Sequence, residues 1–331
     1  MDIKRLPKVE LHLHLDCSLS YAAVARLAPG VTHDEYLRDY VAPVRCTNLA
    51  DFLERAPKGF LLMQNESALQ LVTEDLFHQL RADGIVYAEV RFAPLLHMQG
   101  GLTAERVVEI VNQAVERSSL ETGIEARLIL CTLRHFDAEQ SMQTAKLIEA
   151  YRGSRVVALD LAGDEAGYPI TAHTKAYEYA QEHNFFRTAH AGEALGPGSV
   201  WETLRLLNPT RIGHGTRSIE DPELVRHLRQ KRIHLELCPS SNVQIIPSFA
   251  ELEHHPIDKL YRADVSLNIN TDTRMLTPTT LTREYEEVSR VFGWGREEFC
   301  RTNLMAVEAA FVEEAVKAGL RREVGGIELP G

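Results

Sequence analysis

Residues 126–162 have the sequence ARLILCTLRHFDAEQSMQTAKLIEAYRGSRVVALDLA, in which two apolar runs flank a helical pattern. The runs at 126–133 and 156–162 are rich in aliphatic residues, as expected of strands that are buried on both faces. The residues at 138–151 between them have the spacing of a helix with one apolar side. A strand, a helix and a second strand in this order predict parallel pairing with a helical crossover.

The same alternation extends along the whole chain in both directions. Eight apolar runs are predicted to be strands, at 9–13, 85–92, 126–133, 156–162, 187–191, 211–214, 233–238 and 265–270. Helical patterns lie at 103–123, 138–151, 171–182, 199–207, 221–229 and 284–291. Strands and helices in this order predict a (β/α)8 TIM barrel. Because no linker or biased segment interrupts the pattern, residues 1–331 are predicted to form one domain.

Residues 18–84 break the regular spacing. This segment follows the first strand and is far longer than one crossover requires. We expect it to hold extra helices over one end of the barrel, where insertions of this kind often act as lids of active sites.

Composition and charge narrow the class of protein. The chain has 331 residues, 44% of them hydrophobic and 25% charged, as in a globular protein. Its 36 Lys and Arg against 47 Asp and Glu give a net charge of −11, which disfavours nucleic acid and anionic membranes as partners and favours a small molecule. Five scattered cysteines form neither a CxxC motif nor a disulfide framework. We expect a cytoplasmic protein that does not cross a membrane, and its oligomeric state is left open.

Two histidines lie in the first predicted strand, at His12 and His14. Because side chains alternate across a strand, residues two apart share a face, so both imidazoles point to one side and Leu13 to the other. Two histidines directed at one point suggest metal ligands. The alternative is a solvated strand face, which the leucine-rich surroundings disfavour.

Three more strands end in polar residues that suit a metal centre. Glu193 follows His190 past a glycine that permits a turn, so its carboxylate can reach back over the histidine; a solvated loop carboxylate is the alternative. His214 lies between two glycines, and Asp272 follows the eighth strand, where a helix cap is the alternative. All these residues lie at carboxyl ends of predicted strands, where barrel enzymes build active sites. Three imidazoles and one carboxylate suit Zn²⁺ that activates a water molecule.

Six segments carry a resemblance to a known family. They are LPKVELHLHLD at 6–16, LAGDE at 161–165, TAHAGE at 188–193, RIGHG at 211–215, ELCPSSN at 236–242 and SLNINTD at 266–272. In this order, over nearly the whole chain, they resemble the adenosine/adenine deaminase family of metal-dependent hydrolases in the amidohydrolase superfamily. HxH alone is shared with other metal hydrolases, but the six together are specific. The resemblance implies a (β/α)8 barrel with one zinc ion per chain.

The resemblance also implies a reaction, the replacement of the amino group at C6 of a purine by oxygen with release of ammonia. It implies that the zinc ligands are His12, His14, His190 and Asp272. Glu193 would give a proton to N1 of the ring, and His214 would orient the attacking water or accept its proton. The backbone at Gly163 would contact the purine edge, and Asp16 would hydrogen-bond a ribose hydroxyl.

Two departures from the family pattern leave the substrate open. Thr273 stands where a second aspartate usually follows the metal ligand, so an uncharged hydroxyl would contact the imidazole side of the purine. Cys17 stands where a glycine commonly follows Asp16, which adds bulk beside the expected sugar pocket. The predicted substrate is adenosine or a close adenine nucleoside. The alternative is adenine or a modified nucleoside such as aminodeoxyfutalosine.

Two arginines and three histidines near these motifs lie outside the expected metal centre. Arg217 and Arg274 either edge the opening of the site, where they would favour an acidic substituent on the substrate, or lie on the surface. The remaining histidines near strand ends, His97, His135 and His234, are not expected to bind the metal.

Two other functions are weighed against deamination. A metal-binding barrel without catalysis is disfavoured by the presence of both Glu193 and His214. A phosphoesterase that begins with HxH is disfavoured because LAGDE and TAHAGE would have no role in it. The fourth strand lacks the bridging lysine of binuclear amidohydrolases, so one metal is expected, and CPSS at 238–241 does not match the PCxxC signature of base-flipping zinc deaminases.

Overall fold

Strands and helices alternate along residues 1–325, the part of the chain that this computed structural model describes. The strands are β1 (Lys8–His14), β2 (Ile85–Phe92), β3 (Glu125–Leu133), β4 (Val156–Ala162), β5 (Phe186–Ala191), β6 (Arg211–His214), β7 (His234–Leu237) and β8 (Leu267–Ile269). All eight predicted strands are present. The prediction that residues 1–331 form one domain stays a prediction, and residues 326–331 lie outside the described part.

The strands form one parallel sheet in the order of the sequence, from β1 to β8. The barrel is nearly closed, because Leu13 and Asp272 form a parallel bridge across the gap between β1 and the residues after β8. The amide of His14 donates to the Asp272 carbonyl at 2.8 Å, and the amide of Asp272 donates to the His12 carbonyl at 3.0 Å. The predicted TIM barrel is confirmed, and the carboxyl ends of all strands meet at one rim.

Fifteen helices lie in the described residues. They are α1 (Tyr21–Leu27), α2 (His33–Asp39), α3 (Leu49–Leu53), α4 (Ala56–Phe60), α5 (Glu66–Ala82), α6 (Ala104–Thr122), α7 (Ala138–Ala150), α8 (Thr174–Glu182), α9 (Pro197–Leu207), α10 (Pro222–Lys231), α11 (Pro239–Ile245), α12 (Ile257–Arg262), α13 (Leu281–Phe292), α14 (Arg296–Ala309) and α15 (Glu314–Gly325). Helix α6 begins and ends as its sequence predicts. The Thr103 hydroxyl accepts from the Arg106 amide, and Gly123 ends the helix with a φ of 76°.

Helices α1 to α5 lie between β1 and β2, which confirms the extra helices after the first strand. Helices α3 and α4 lie over the carboxyl rim of the barrel. Leu53 of α3 and Phe60 of α4 line the same cavity as His14 and Gly163. The insertion therefore covers the rim at which the predicted site residues meet.

Both faces of the sheet are buried, which explains the aliphatic character of the strands. On β1, Val9 and Leu11 face outward and pack against Val307 of α14, whereas His12 is fully buried with the polar residues of the interior. Strand β8 is shorter than predicted. The side-chain oxygen of Asn270 accepts the amides of Leu11 at 2.8 Å and His12 at 3.1 Å, so a side chain replaces backbone pairing where the barrel closes. No helix within residues 1–325 has the length and apolar character that crossing a membrane requires.

Candidate active site

Three histidine rings converge at the carboxyl rim. One ring nitrogen from each of His12, His14 and His190 lies within 4.8 Å of the others. Nε2 of His14 is 3.1 Å from Nε2 of His190. Nε2 of His12 is buried without a hydrogen-bond partner among the described residues, and Oδ1 of Asp272 lies 3.4 Å from it. A buried nitrogen in this state fits a metal ligand, because buried polar atoms are otherwise almost always paired.

Carboxylates behind the rings set their orientation. Nδ1 of His12 is 2.8 Å from Oε2 of Glu236, and Nδ1 of His190 is 3.1 Å from Oδ1 of Asp160. Because a carboxylate accepts the proton of the nearer ring nitrogen, both rings carry their proton on Nδ1 and direct the Nε2 lone pair to the shared point. The donor set therefore fits a metal ion.

A buried arginine joins the two carboxylates. Nη1 of Arg91, on β2, is 3.0 Å from Asp160, and Nη2 is 2.6 Å from Glu236. Nε of Arg211, on β6, is 2.7 Å from the other oxygen of Glu236. Although burial would raise it, Arg91 and Arg211 hold the pKa of Glu236 well below its usual range. The carboxylates thus stay charged inside the barrel, where an unpaired charge would be costly.

Asp272 is directed at the histidines by its backbone and by one hydrogen bond. Its φ is 63°, and that of His214 is 59°, a left-handed conformation that costs a non-glycine residue on the order of 1 kcal/mol or more. The Ser241 hydroxyl donates to Oδ2 of Asp272 at 2.7 Å. Oδ1 then lies 3.4 Å from Nε2 of His12 and 3.6 Å from Nε2 of His14.

Glu193 and His214 lie beside this cluster and face each other. Oε1 of Glu193 is 3.4 Å from Nε2 of His214. The Asn242 amide nitrogen donates to Nδ1 of His214 at 3.1 Å, while its oxygen accepts from the Thr216 hydroxyl at 2.7 Å. Since Nδ1 accepts, the proton of His214 lies on Nε2. Burial, together with His12, keeps the pKa of His214 well below its usual range, so the ring is neutral.

The segment that carries Glu193 has a tight backbone turn at Gly192. Its φ is 72°, and an added Cβ would lie 2.6 Å from Cγ2 of Val200, so only glycine fits. Burial and the negative charge of Asp272 raise the pKa of the Glu193 carboxyl well above its usual range. A raised pKa favours the protonated carboxyl, which is the form that can act as an acid.

Three adjoining cavities form a cleft over these side chains. The smallest, of about 50 Å³, lies between Glu193, His214 and Asp272. It shares Gly163 with a second cavity of about 430 Å³, and Glu193 with a third of about 540 Å³. Together they connect the histidine cluster with the outside.

The residues expected to contact substrate line this cleft. Asp16 and Gly163 line the second cavity, and Cys17 lines the two smaller ones. Thr273 lines the smallest cavity, and its hydroxyl is buried without a partner among the described residues. At Gly163 the φ is 98°, and an added Cβ would come no closer than 3.5 Å to another protein atom, so the backbone conformation requires the glycine and the space before it stays open.

Arg274 does not edge the opening, and it is not a surface residue. Its side chain is buried, with Nη2 at 2.8 Å from Glu10 and 3.0 Å from Asp83. These two carboxylates draw it away from the cleft. Arg217 does line the third cavity, but Glu220 pairs with its Nε and Nη2, and its Nη1 donates to the Ala194 carbonyl.

The three histidines that were not expected to bind the metal lie apart from the cluster. His97 is buried, with Nδ1 3.2 Å from the Met63 carbonyl and Nε2 3.9 Å from Asp16. His135 lines the second cavity. His234 lies at the start of β7, where its ring bonds to Ser266 and Asn268.

Several residues that shape the site were not predicted individually. The supporting residues in quoted motifs are Glu165, Glu236, Ser241 and Asn242, and those in strands are Arg91 and Asp160. A charged residue within an aliphatic strand, such as Asp160 in VVALDLA, was a signal that could have indicated a role inside the barrel.

These features define the chain as a (β/α)8 barrel with a candidate metal-binding active site at the carboxyl rim. A model of the adenosine deaminase family matches residues 7–326. Adenosine deaminase 1 of Streptomyces coelicolor is 37% identical, over 94% of this chain and 84% of that protein.

Solved structures agree with the family match. The adenine deaminase of Arthrobacter aurescens superposes with a TM-score of 0.89 at 25% identity, over 97% of this chain and 98% of the other. Arabidopsis ADAL complexed with IMP has a TM-score of 0.87 at 26% identity, over 98% and 97% of the two chains. The chain belongs to the adenosine deaminase family and is a hydrolase that deaminates purines.

Proposed function

We propose that the protein catalyses zinc-dependent hydrolytic deamination of adenosine or a close adenine nucleoside, giving the 6-oxopurine and ammonia. The observation that carries this proposal is the meeting of an acid, a neutral histidine and a metal-ligand cluster at the floor of one cleft: Glu193, His214, His12, His14, His190 and Asp272. The cytoplasmic location stays a prediction from the cysteine content.

One zinc ion would be held by four of these residues, namely His12, His14, His190 and Asp272. Imidazole nitrogens and carboxylate oxygens are donors that zinc accepts, and a catalytic zinc site also takes a water molecule or the substrate. When bound, the ion would supply Lewis-acid activation of the attacking water. The buried, unpartnered Nε2 of His12 and the carboxylates behind His12 and His190 support this assignment.

The chain's own residues would handle the protons. Glu193, with its raised pKa, would donate a proton to N1 of the purine, so that the ring need not carry negative charge as the oxygen of water bonds to C6. Of the two protons of that water, one would return to the Glu193 carboxylate and the other would go to the amino group, which leaves as ammonia when the C6–N bond breaks. His214, with its proton on Nε2, would orient the oxygen of the attacking water. Asn242 supports that role by keeping Nδ1 of His214 as an acceptor.

The second cavity favours a nucleoside over a free base. Its volume of about 430 Å³ provides space beyond the purine, and Asp16 there is available to a ribose hydroxyl. Among the described residues that line it, none is Lys or Arg, which disfavours a phosphate group. A modified nucleoside such as aminodeoxyfutalosine remains the alternative, together with adenine, the substrate named for the Arthrobacter relative.

A substrate panel tests the proposal. Zinc-loaded protein would be incubated with adenosine, AMP, adenine and aminodeoxyfutalosine, and ammonia release and the 6-oxopurine product would be measured. We expect the highest kcat/KM with adenosine, loss of activity after chelation and recovery with zinc. Activity with adenine or aminodeoxyfutalosine alone would instead support the alternative, and turnover that persists without any metal would exclude the zinc mechanism.

Thr273 is proposed to contact the imidazole side of the purine. Its unpartnered hydroxyl in the smallest cavity can donate to N7. Replacing Thr273 with Val keeps the shape and removes this donor, so kcat/KM for adenosine is expected to fall about 3- to 10-fold, the value of one neutral hydrogen bond. The Ki of 7-deazaadenosine, which lacks N7, should not change. Thr210→Val, an exposed position at the opposite end of the barrel, serves as the control.

A Thr273→Val variant that weakened 7-deazaadenosine as much as adenosine would contradict this contact. Such a result would indicate that the hydroxyl acts elsewhere in the cleft.

A further inference from the structure

The buried carboxylate of Glu165, in the segment after β4, receives five hydrogen bonds. Only 2% of the residue is exposed. Oε1 accepts from the Gly192 amide at 2.7 Å and the Ser199 hydroxyl at 2.6 Å, and Oε2 accepts from the amides of Glu193 at 3.0 Å, Ala194 at 2.6 Å and Leu195 at 3.0 Å. Four consecutive amides, 192 to 195, therefore converge on one side chain.

These amides belong to the irregular segment between β5 and α9 that carries Glu193. Without a helix or strand to pair them, they need another acceptor, and at the buried residues Gly192 and Glu193 an unpaired amide would be costly. The carbonyls of the same segment are held from the other side. The Arg217 amide donates to the Gly192 carbonyl at 2.9 Å, and Nη1 of Arg217 donates to the Ala194 carbonyl at 2.9 Å.

We propose that Glu165 is a positioning residue for deamination, which fixes the backbone of residues 192–195 and thereby holds the Glu193 carboxyl over the purine site. The inference rests on the proposed role of Glu193 as the proton donor. Among the described residues, those that line the three cavities of the cleft do not include Glu165, so it acts through Glu193 and not on the substrate.

The main test is Glu165→Gln. The amide nitrogen of Gln cannot accept, so at least two of the five hydrogen bonds are lost and a donor then faces donors. We expect kcat for the preferred substrate to fall about 10- to 100-fold, which is the loss that a misplaced catalytic group causes. KM should stay within about 3-fold of the wild-type value. The bound zinc should not change, and the amides of residues 192–195 should exchange hydrogen faster. Glu202→Gln, an exposed glutamate on α9, is the matched control.

A double-mutant cycle separates positioning from general stability. In the Glu193→Gln background there is no acid left to position, so adding Glu165→Gln should change the remaining kcat by less than about 3-fold. If Glu165 only stabilises the fold, it will lower kcat equally in both backgrounds, and this result would overturn the proposal. An unchanged kcat of Glu165→Gln in the wild-type background would do the same.

A second variant, Glu165→Asp, covers the case in which Glu165→Gln is unstable. If Glu165→Gln does not fold, Glu165→Asp is measured in the same cycle, because it keeps the charge and moves the acceptor back by one methylene. A loss of kcat confined to the background with Glu193 is again expected, and no loss overturns the proposal. Absence of deamination by the wild-type protein would remove the proposed function, and full activity of Glu193→Gln would remove the acid role of Glu193 on which this inference rests. Full activity of Glu165→Gln beside an inactive Glu193→Gln would remove only the positioning role.

Discussion

Replacing Glu193 with Gln is expected to lower kcat for adenosine on the order of 10³-fold, within the range that general acid catalysis contributes. The amide has the shape of the carboxyl but no proton to give to N1. Because Glu193 is buried beside His214, the isosteric change should leave the cleft intact. The measurements are ammonia release under saturating substrate and the zinc content of the purified variant, which should equal that of the wild type.

The control for this experiment is Glu202→Gln, which makes the same chemical change at an exposed position of α9. It should keep the wild-type kcat. A Glu193→Gln variant that retained a tenth of the activity with normal zinc content would show that the proton comes from another group. Loss of zinc together with activity would instead assign Glu193 to the metal site.

Replacing Arg91 with Met should have the largest effect on stability of any single change proposed for this protein. Arg91 is fully buried and pairs with both Asp160 and Glu236, so its loss leaves two carboxylates without their shared cation. Breaking a buried pair in this way costs about 3–5 kcal/mol of unfolding free energy. Because these carboxylates orient His12 and His190, zinc affinity should also fall about 10- to 100-fold.

Denaturant unfolding and competition with a zinc chelator measure the two effects. Arg38→Met, at a surface position where 65% of the side chain is exposed, should change stability by less than about 0.5 kcal/mol. The stability and the zinc affinity of Arg91→Lys should lie between those of Arg91→Met and those of Arg38→Met. An ammonium keeps the charge but cannot bridge both carboxylates as the planar guanidinium does. Wild-type stability and zinc affinity in Arg91→Met would contradict the assigned role of this network.

The strands were predictable because their signal is local. The limits of β2 and β4 agree with predominantly apolar runs in the sequence, as expected of strands that are buried on both faces. The limits of β6 also agree with the prediction, although only Ile212 of its four residues is aliphatic. The predicted β8 was too long at both ends. At the barrel seam the side-chain oxygen of Asn270 accepts the amides of Leu11 and His12 in place of a backbone ladder, and an apolar run does not reveal such a substitution.

The predicted metal-ligand and acid residues came from spacing and motif, and their side chains meet in the structure. The residues that orient them were not predicted, because each acts on a partner that belongs to a different strand or loop and lies far away in the chain. Arg91 and Glu236 are 145 positions apart, and Glu165 reaches amides 27 to 30 positions away. No local pattern relates such pairs.

Alternation of residue types along the chain was enough to define a barrel, its inserted helices and the strand ends at which chemistry would occur, because secondary structure and burial follow from near neighbours. Folding decided the rest. It paired Arg274 with Glu10 and Asp83 and so withdrew that arginine from the cleft, and it left the Thr273 hydroxyl without a partner among residues 1–325. These outcomes depend on which distant charges and donors come within about 3 Å of one another, a distance that only the closed sheet and its packed helices establish.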